Sequence, residues 1–192
     1  MKKIMMIAAM MVATLTANAQ HEVGTLTLQP KVGMNIANLT KIEGGKARIG
    51  LAAGAELEYQ VADIVSLSAG ALYSMQGIKG KEDGLTVTLK NDYINVPVMC
   101  NVYFAKGLAV KAGVQPGFKA SSKVKAEFGG ESASASYDGL KSFDFSIPVG
   151  LSYEYNNVVL DARYNIGMTK TFDFIDSKNS VFQITLGYKF EL

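Results

Sequence analysis

The sequence predicts an all-β fold: an eight-stranded antiparallel up-and-down transmembrane β-barrel, preceded by a cleaved signal peptide. Three observations predict it. From Thr25 onward apolar and polar residues alternate with period two. The alternating runs are about 11–14 residues long, enough to cross a bilayer when tilted by ~45°. Short and long connections then take turns along the chain.

The first element is not a strand. Met1-Lys2-Lys3 is followed by an apolar run from Ile4 to Leu15 and then Ala17-Asn18-Ala19. A basic start, a short apolar centre and small residues before the cut are the parts of a secretory signal peptide. Cleavage is expected between Ala19 and Gln20. The expected organisation is therefore signal peptide 1–19, a short flexible periplasmic leader 20–24, and a barrel over 25–192.

Side chains on a strand point alternately to opposite faces, so each run has one apolar and one polar side. The first carries Leu26, Leu28, Val32, Met34 and Ile36 against Thr27, Gln29, Lys31, Gly33 and Asn35. Residues 48–60 set Ile49, Leu51, Leu57 and Tyr59 against Glu56 and Glu58. Residues 65–76 follow with Val65, Leu67, Tyr73 and Met75, Leu72 being a misfit. Residues 94–104 carry Ile94, Val98, Cys100, Val102 and Phe104. Residues 108–118 place Val110, Val114 and Phe118 opposite Lys111.

The sixth run sets Phe143, Phe145, Ile147, Val149, Leu151 and Tyr153 against Asp144. Residues 158–168 place Val158, Leu160, Tyr164, Ile166 and Met168 opposite Asp161 and Arg163. The last run sets Phe182, Ile184, Leu186, Tyr188 and Phe190 against Gln183 and Lys189. Long loops are expected near 37–47, 77–93, 119–141 and 169–179. Short turns are expected at 61–64, 105–107 and 156–157, where Asn156-Asn157 suits a two-residue hairpin with positive φ at both centres. Pro30, Pro97, Pro116 and Pro148 lie inside these runs and predict bulges or broken pairing.

Alternation alone leaves two barrels open, one facing lipid and a soluble carrier with its apolar face inward. The polar parity of Lys31, Glu56, Glu58, Lys111, Asp144, Asp161, Arg163 and Lys189 is interleaved with small residues. A narrow eight-stranded lumen would hold such residues as an internal charge network. The apolar-parity aromatics gather at the run ends, as in the girdles of an outer-membrane barrel. The final strand, apolar at alternate positions to Leu192, suits recognition by the barrel assembly machinery.

Three stretches carry a resemblance: KVGMNIANL at 31–39, YINVPV at 93–98 and RYNIGMT at 163–169. Together they resemble the PorT-like outer-membrane β-barrel family over essentially the whole chain after the signal. Val96 and Val98 stand where isoleucine and leucine are usual. The resemblance implies residence in the cell outer membrane, and the founding type implies a link to secretion of cargo.

Composition limits the chemistry. The chain has one cysteine, Cys100, and one histidine, His21, so no metal or cofactor site is expected and no enzyme of the His-dependent kind. Losing Lys2 and Lys3 takes Lys+Arg from 19 to 17 against 17 acids, which gives no reason to expect nucleic acid. The expected role is structural or surface-binding, in contact with outer-membrane lipid. A protein or ligand partner would meet loops 119–141 and 169–179, where Phe172 and Phe174 offer apolar contacts. A narrow channel and a periplasmic ligand carrier are the alternatives.

Overall fold

The computed structural model describes residues 21–42, 44–82, 85–129, 131–136, 139, 141–172 and 176–192. The signal peptide and its cut at Ala19 and Gln20, together with Phe174, lie outside them.

The wall is built from β1 (Leu26–Leu39), β2 (Lys46–Ala62), β3 (Val65–Glu82), β4 (Leu85–Asn95) and β5 (Val98–Ala105). It continues with β6 (Leu108–Phe128), β7 (Glu131–Ser136), β8 (Phe143–Tyr155), β9 (Val158–Gly167), β10 (Asn179–Tyr188) and β11 (Phe190–Glu191). β4 with β5 makes one stave, as does β10 with β11, while β7 pairs with β6 alone. Each stave runs antiparallel to its neighbours, and β1 pairs with both β2 and β10 to close an eight-stave ring.

The prolines explain where staves break. Val96 and Pro97 separate β4 from β5, opposite Gln115 and Pro116 on β6. The β1 pairing lapses between Lys31↔Gly187 and Leu28↔Phe190, where Pro30, whose ring nitrogen has no proton to give, stands level with Tyr188 and Lys189 separates β10 from β11. On its other side the Lys189 N–H continues the β9 ladder, donating to the Asn157 carbonyl at 2.8 Å. The β6–β8 ladder likewise lapses opposite Pro148. Register shifts occur elsewhere, between Asp92 and Tyr93 among other places. Asn156 and Asn157 take φ of 47° and 67°, the turn the sequence demands.

Two expectations need correction. Residues 77–93 are not a loop. β3 and β4 continue in unbroken register from Leu72↔Asn95 to Glu82↔Leu85. The leader is not free either, because Gly24 N–H donates to Gln60 O at 2.9 Å and Glu22 O accepts from Thr25 N–H.

The barrel is apolar outside and polar inside. Val32, Leu51, Leu67, Val110, Leu160 and Leu186 are exposed, while Gln29, Lys31, Glu56, Lys111, Asp161 and Arg163 are buried. Water would punish that arrangement on both faces, and hydrocarbon rewards it. Tyr73, Ile94, Phe118 and Phe143 stand directly opposite one another across four staves and mark an outer row. Tyr59, Phe104, Tyr153, Tyr155, Tyr188 and Phe190 ring the short-turn end. On β8, ten residues separate Phe143 from Tyr153. At ~3.4 Å per residue and a tilt near 40° that is roughly 26 Å along the axis, the height of a membrane-barrel apolar band.

Candidate functional site: a charge-filled lumen beneath an outer sheet

Large charged side chains fit inside an eight-stave ring only if the facing residues give way. Lys31 is opposed by Gly54 and Gly187, Glu56 by Gly70, and both Lys111 and Arg163 by Gly150. A Cβ on Gly70 would lie 2.6 Å from Glu56 Cγ and 2.3 Å from the Ala55 carbonyl oxygen. Glycine therefore carves the space that the charges fill.

At mid-height, Lys31 Nζ lies 2.7 Å from Glu56 Oε2, and Lys111 Nζ lies 2.7 Å from Asp161 Oδ2. Arg163 joins the two acids, with Nη1 3.0 Å from Glu56 Oε1 and Nη2 2.7 Å from Asp161 Oδ2. All five side chains are 2% exposed or less. A second group sits below. Lys189 Nζ lies 3.0 Å from Glu58 and 2.8 Å from Glu154, while Ser66 Oγ and Tyr103 Oη donate to Glu58 at 2.6 and 2.5 Å.

Seven of the eight charged residues singled out by parity thus lie in these two groups. Asp144 does not. It stands higher, level with Gly117, and accepts from Thr169 Oγ1 at 3.0 Å. Parity assigns a face but not a height.

Other participants escaped the sequence reading. His21 Nε2 lies 3.0 Å from Glu154 Oε1 and closes the short-turn end. Arg48 Nη1 lies 3.2 Å from Asp92 Oδ1, and Tyr73 Oη donates to Asp92 Oδ2 at 2.9 Å. Leu72, Tyr93 and Met99 are buried, so the Leu72 misfit is an inward filler.

Above the lumen, Leu39, Ile78 and Phe172 form a buried apolar cluster with Ile42 and Leu89 packed against it. Phe172 is buried in this cluster and is not the exposed contact expected of it. Lys41 Nζ on one loop lies 2.5 Å from Asp176 Oδ2 on another. That hydrogen bond and the Lys41 charge hold the Asp176 carboxyl below its ordinary range.

β3, β4, β6 and β7 continue past the aromatic row as a four-stranded sheet. Leu85, Val87 and Phe128 lie on its inner face at 40%, 38% and 64% exposure. Beside them an open groove of about 730 Å³ is lined by Ile42, Ile78, Leu85, Val87 and Leu89 together with Lys79 and Lys81. Among the described residues no cluster of His, Cys, Asp and Glu could hold a metal ion.

Residues 18–173 match the family model described as outer membrane protein beta-barrel domain. No curated protein matches the chain. Among solved structures it is similar to Ail, the attachment invasion locus protein of Yersinia pestis. That likeness has a TM-score of 0.53 at 17% identity, covering 88% of this chain and 100% of Ail. A second Ail structure, in complex with the heparin analogue sucrose octasulfate, gives a TM-score of 0.51 at 16% identity over 88% and 100%. Neisserial surface protein A gives 0.50 at 13% identity, covering 86% of this chain and 97% of the other. At these identities the likenesses establish the fold.

Proposed function

The chain belongs to the outer membrane protein beta-barrel domain family, and we propose that it is a non-conducting binding protein of the outer membrane. Its partner is taken on the sheet above the barrel and not through the lumen. One observation carries this reading. An apolar face with Leu85, Val87 and Phe128 exposed stands directly above a lumen filled by five mutually paired charges. Exposed apolar surface above the membrane costs free energy unless something covers it, and a partner with an extended apolar segment would do so. The ion cluster fills the lumen at mid-height, which argues against the open water path of a porin.

Ail in complex with a heparin analogue is a precedent for a barrel of this build binding a ligand. The PorT-like stretches at 31–39, 93–98 and 163–169 favour partners among exported or envelope proteins. Catalysis is not part of the proposal, because His21 pairs with Glu154 at the opposite end from the sheet.

The test is photocrosslinking in the native envelope from a reactive residue at Val87, with Leu51 on the lipid face as control. A discrete protein adduct from position 87 and none from 51 is expected. Adducts from neither position, together with conductance by the purified barrel, would replace this reading with a channel.

A further inference from the structure

The two faces exchange chemistry above the aromatic row. Directly opposed residues share a face, and three successive rows can be read off the ladders. The first is Gly77, Lys90, Lys123 and Ser136. The next is Lys46, Lys79, Thr88, Lys125 and Ser134, and the last is Lys81, Thr86, Glu127 and Ser132. These rows continue the side of the wall that carries Tyr73 and Ile94. Six lysines and a band of hydroxyls therefore stand over the lipid-facing surface, with Glu127 the one carboxylate in the rows and Asp92, paired with Arg48, in the row just below them.

Among the described residues only Lys125 of the six has a carboxylate within ion-pair distance, that of Glu127. Glu127 is itself held below the usual carboxylate range, first by the Lys125 hydrogen bond and charge, then by Lys79 and Lys90. Five like charges without partners on one sheet face repel one another, so this arrangement favours an anion against it.

Height and direction identify the anion. The Lys90–Lys123 row lies four residues beyond the Ile94–Phe118 row. That is ~13 Å along the strand, or ~10 Å along the axis at a 40° tilt. A headgroup layer rises roughly 5–8 Å above the hydrocarbon, and lysine stems reach back several ångströms towards it. The face also overlooks neighbouring lipid, whereas a polymer arriving from the medium would first meet the strand tips and the apolar side.

We propose that Lys90 and Lys123 bind the phosphates of outer-leaflet lipid headgroups, with Lys46, Lys79, Lys81 and Lys125 in the higher rows adding to the field that draws anionic lipid to the β3–β4–β6 sector. Lys90, Lys123 and Lys125 do not line the apolar groove.

The test compares the folded barrel with a variant carrying Lys79→Gln, Lys90→Gln, Lys123→Gln and Lys125→Gln. Both are titrated in detergent with diphosphorylated lipid A and with dephosphorylated lipid A, and bound lipid is read by native mass spectrometry. Wild type should retain the diphosphorylated lipid at least about tenfold better than the variant, given the usual contribution of each surface lysine. Both proteins should hold the dephosphorylated lipid equally weakly, and both should keep heat-modifiable gel migration. Equal retention by the two proteins, or retention indifferent to phosphate, overturns the proposal. In a third arm sucrose octasulfate is offered to the barrel in phosphatidylcholine vesicles. Tighter lysine-dependent binding there than of lipid A would place the ligand in the medium and overturn the lipid assignment. Should the fourfold variant not fold, Lys90→Gln with Lys123→Gln carries the same comparison.

Discussion

Arg163 on β9 and Glu56 on β2 meet across the lumen, Nη1 to Oε1 at 3.0 Å, although β10 and β1 separate their strands around the wall. Asp161, Lys31 and Lys111 complete the same cluster. Opposite sides of the ring are thus tied together by side chains, in a space that lumen-facing glycines keep open.

Removing Glu56 takes from Lys31 its nearest carboxylate and from Arg163 one of its two. Glu56→Ala should destabilise the folded barrel by about 3–5 kcal/mol, the usual cost of an uncompensated buried charge. Glu56→Leu combined with Arg163→Met should lose clearly less than the sum of the two single changes, because the pair leaves together. The chain has no tryptophan, so urea unfolding is followed by far-ultraviolet circular dichroism.

Gly150 faces Arg163, and a Cβ there would lie 2.4 Å from the Ala162 carbonyl oxygen and 2.8 Å from Arg163 Cα. Both are backbone atoms, so the strands must part. Gly150→Ala should cost about 1–3 kcal/mol in the same unfolding assay. Gly80→Ala is the control, since its Cβ would meet only the Val87 carbonyl oxygen at 4.0 Å; it should be near neutral.

Cys100 lies on the outward face, opposed by Leu67 and Ala112 within the apolar band. A charged maleimide added to barrels folded in vesicles should leave Cys100 unmodified and react once the protein is unfolded. A cysteine introduced at Lys123 in a Cys100→Ser background should react in both states. Rapid labelling of Cys100 in the folded protein would contradict the lipid-facing assignment.

The parity of β1, β2, β5, β8 and β9 was legible because lipid outside and charge inside both read as strict alternation. The β3–β4 hairpin was not. Val87 and Leu89 alternate with Thr86, Thr88 and Lys90, but there the apolar set is the inner one. Glycines and lysines made the segment look like a loop. On β6 the register shift opposite Asp92 and Tyr93 exchanges the faces again, which no pattern of hydropathy announces. The seven charges that meet in the lumen could be assigned to a face from sequence, but their heights follow from stagger. That is why Asp144 was grouped with them, and why the Arg48–Asp92 and His21–Glu154 pairs went unseen.

Lys41 and Asp176 clasp two outer loops, and both are largely exposed. Because the Asp176 carboxyl is depressed in the folded state, its contribution is present above the unfolded aspartate value and fades as pH falls through the lower folded one. Protection factors of the amides in 40–42 and 176–178, corrected for intrinsic exchange, should therefore fall only below about pH 4. Asp176→Asn should give the lower protection already at neutral pH. Amide exchange read by NMR in detergent checks both outcomes.

The central claim is that the lumen is sealed and binding takes place on the outer sheet. Planar-bilayer recording of the purified, heat-modifiable barrel tests it most directly. A flat baseline is predicted for wild type across moderate voltages, with steps emerging only when Arg163 and Glu56 are both replaced by glycine. Stable, reproducible conductance steps from the wild-type protein would contradict it.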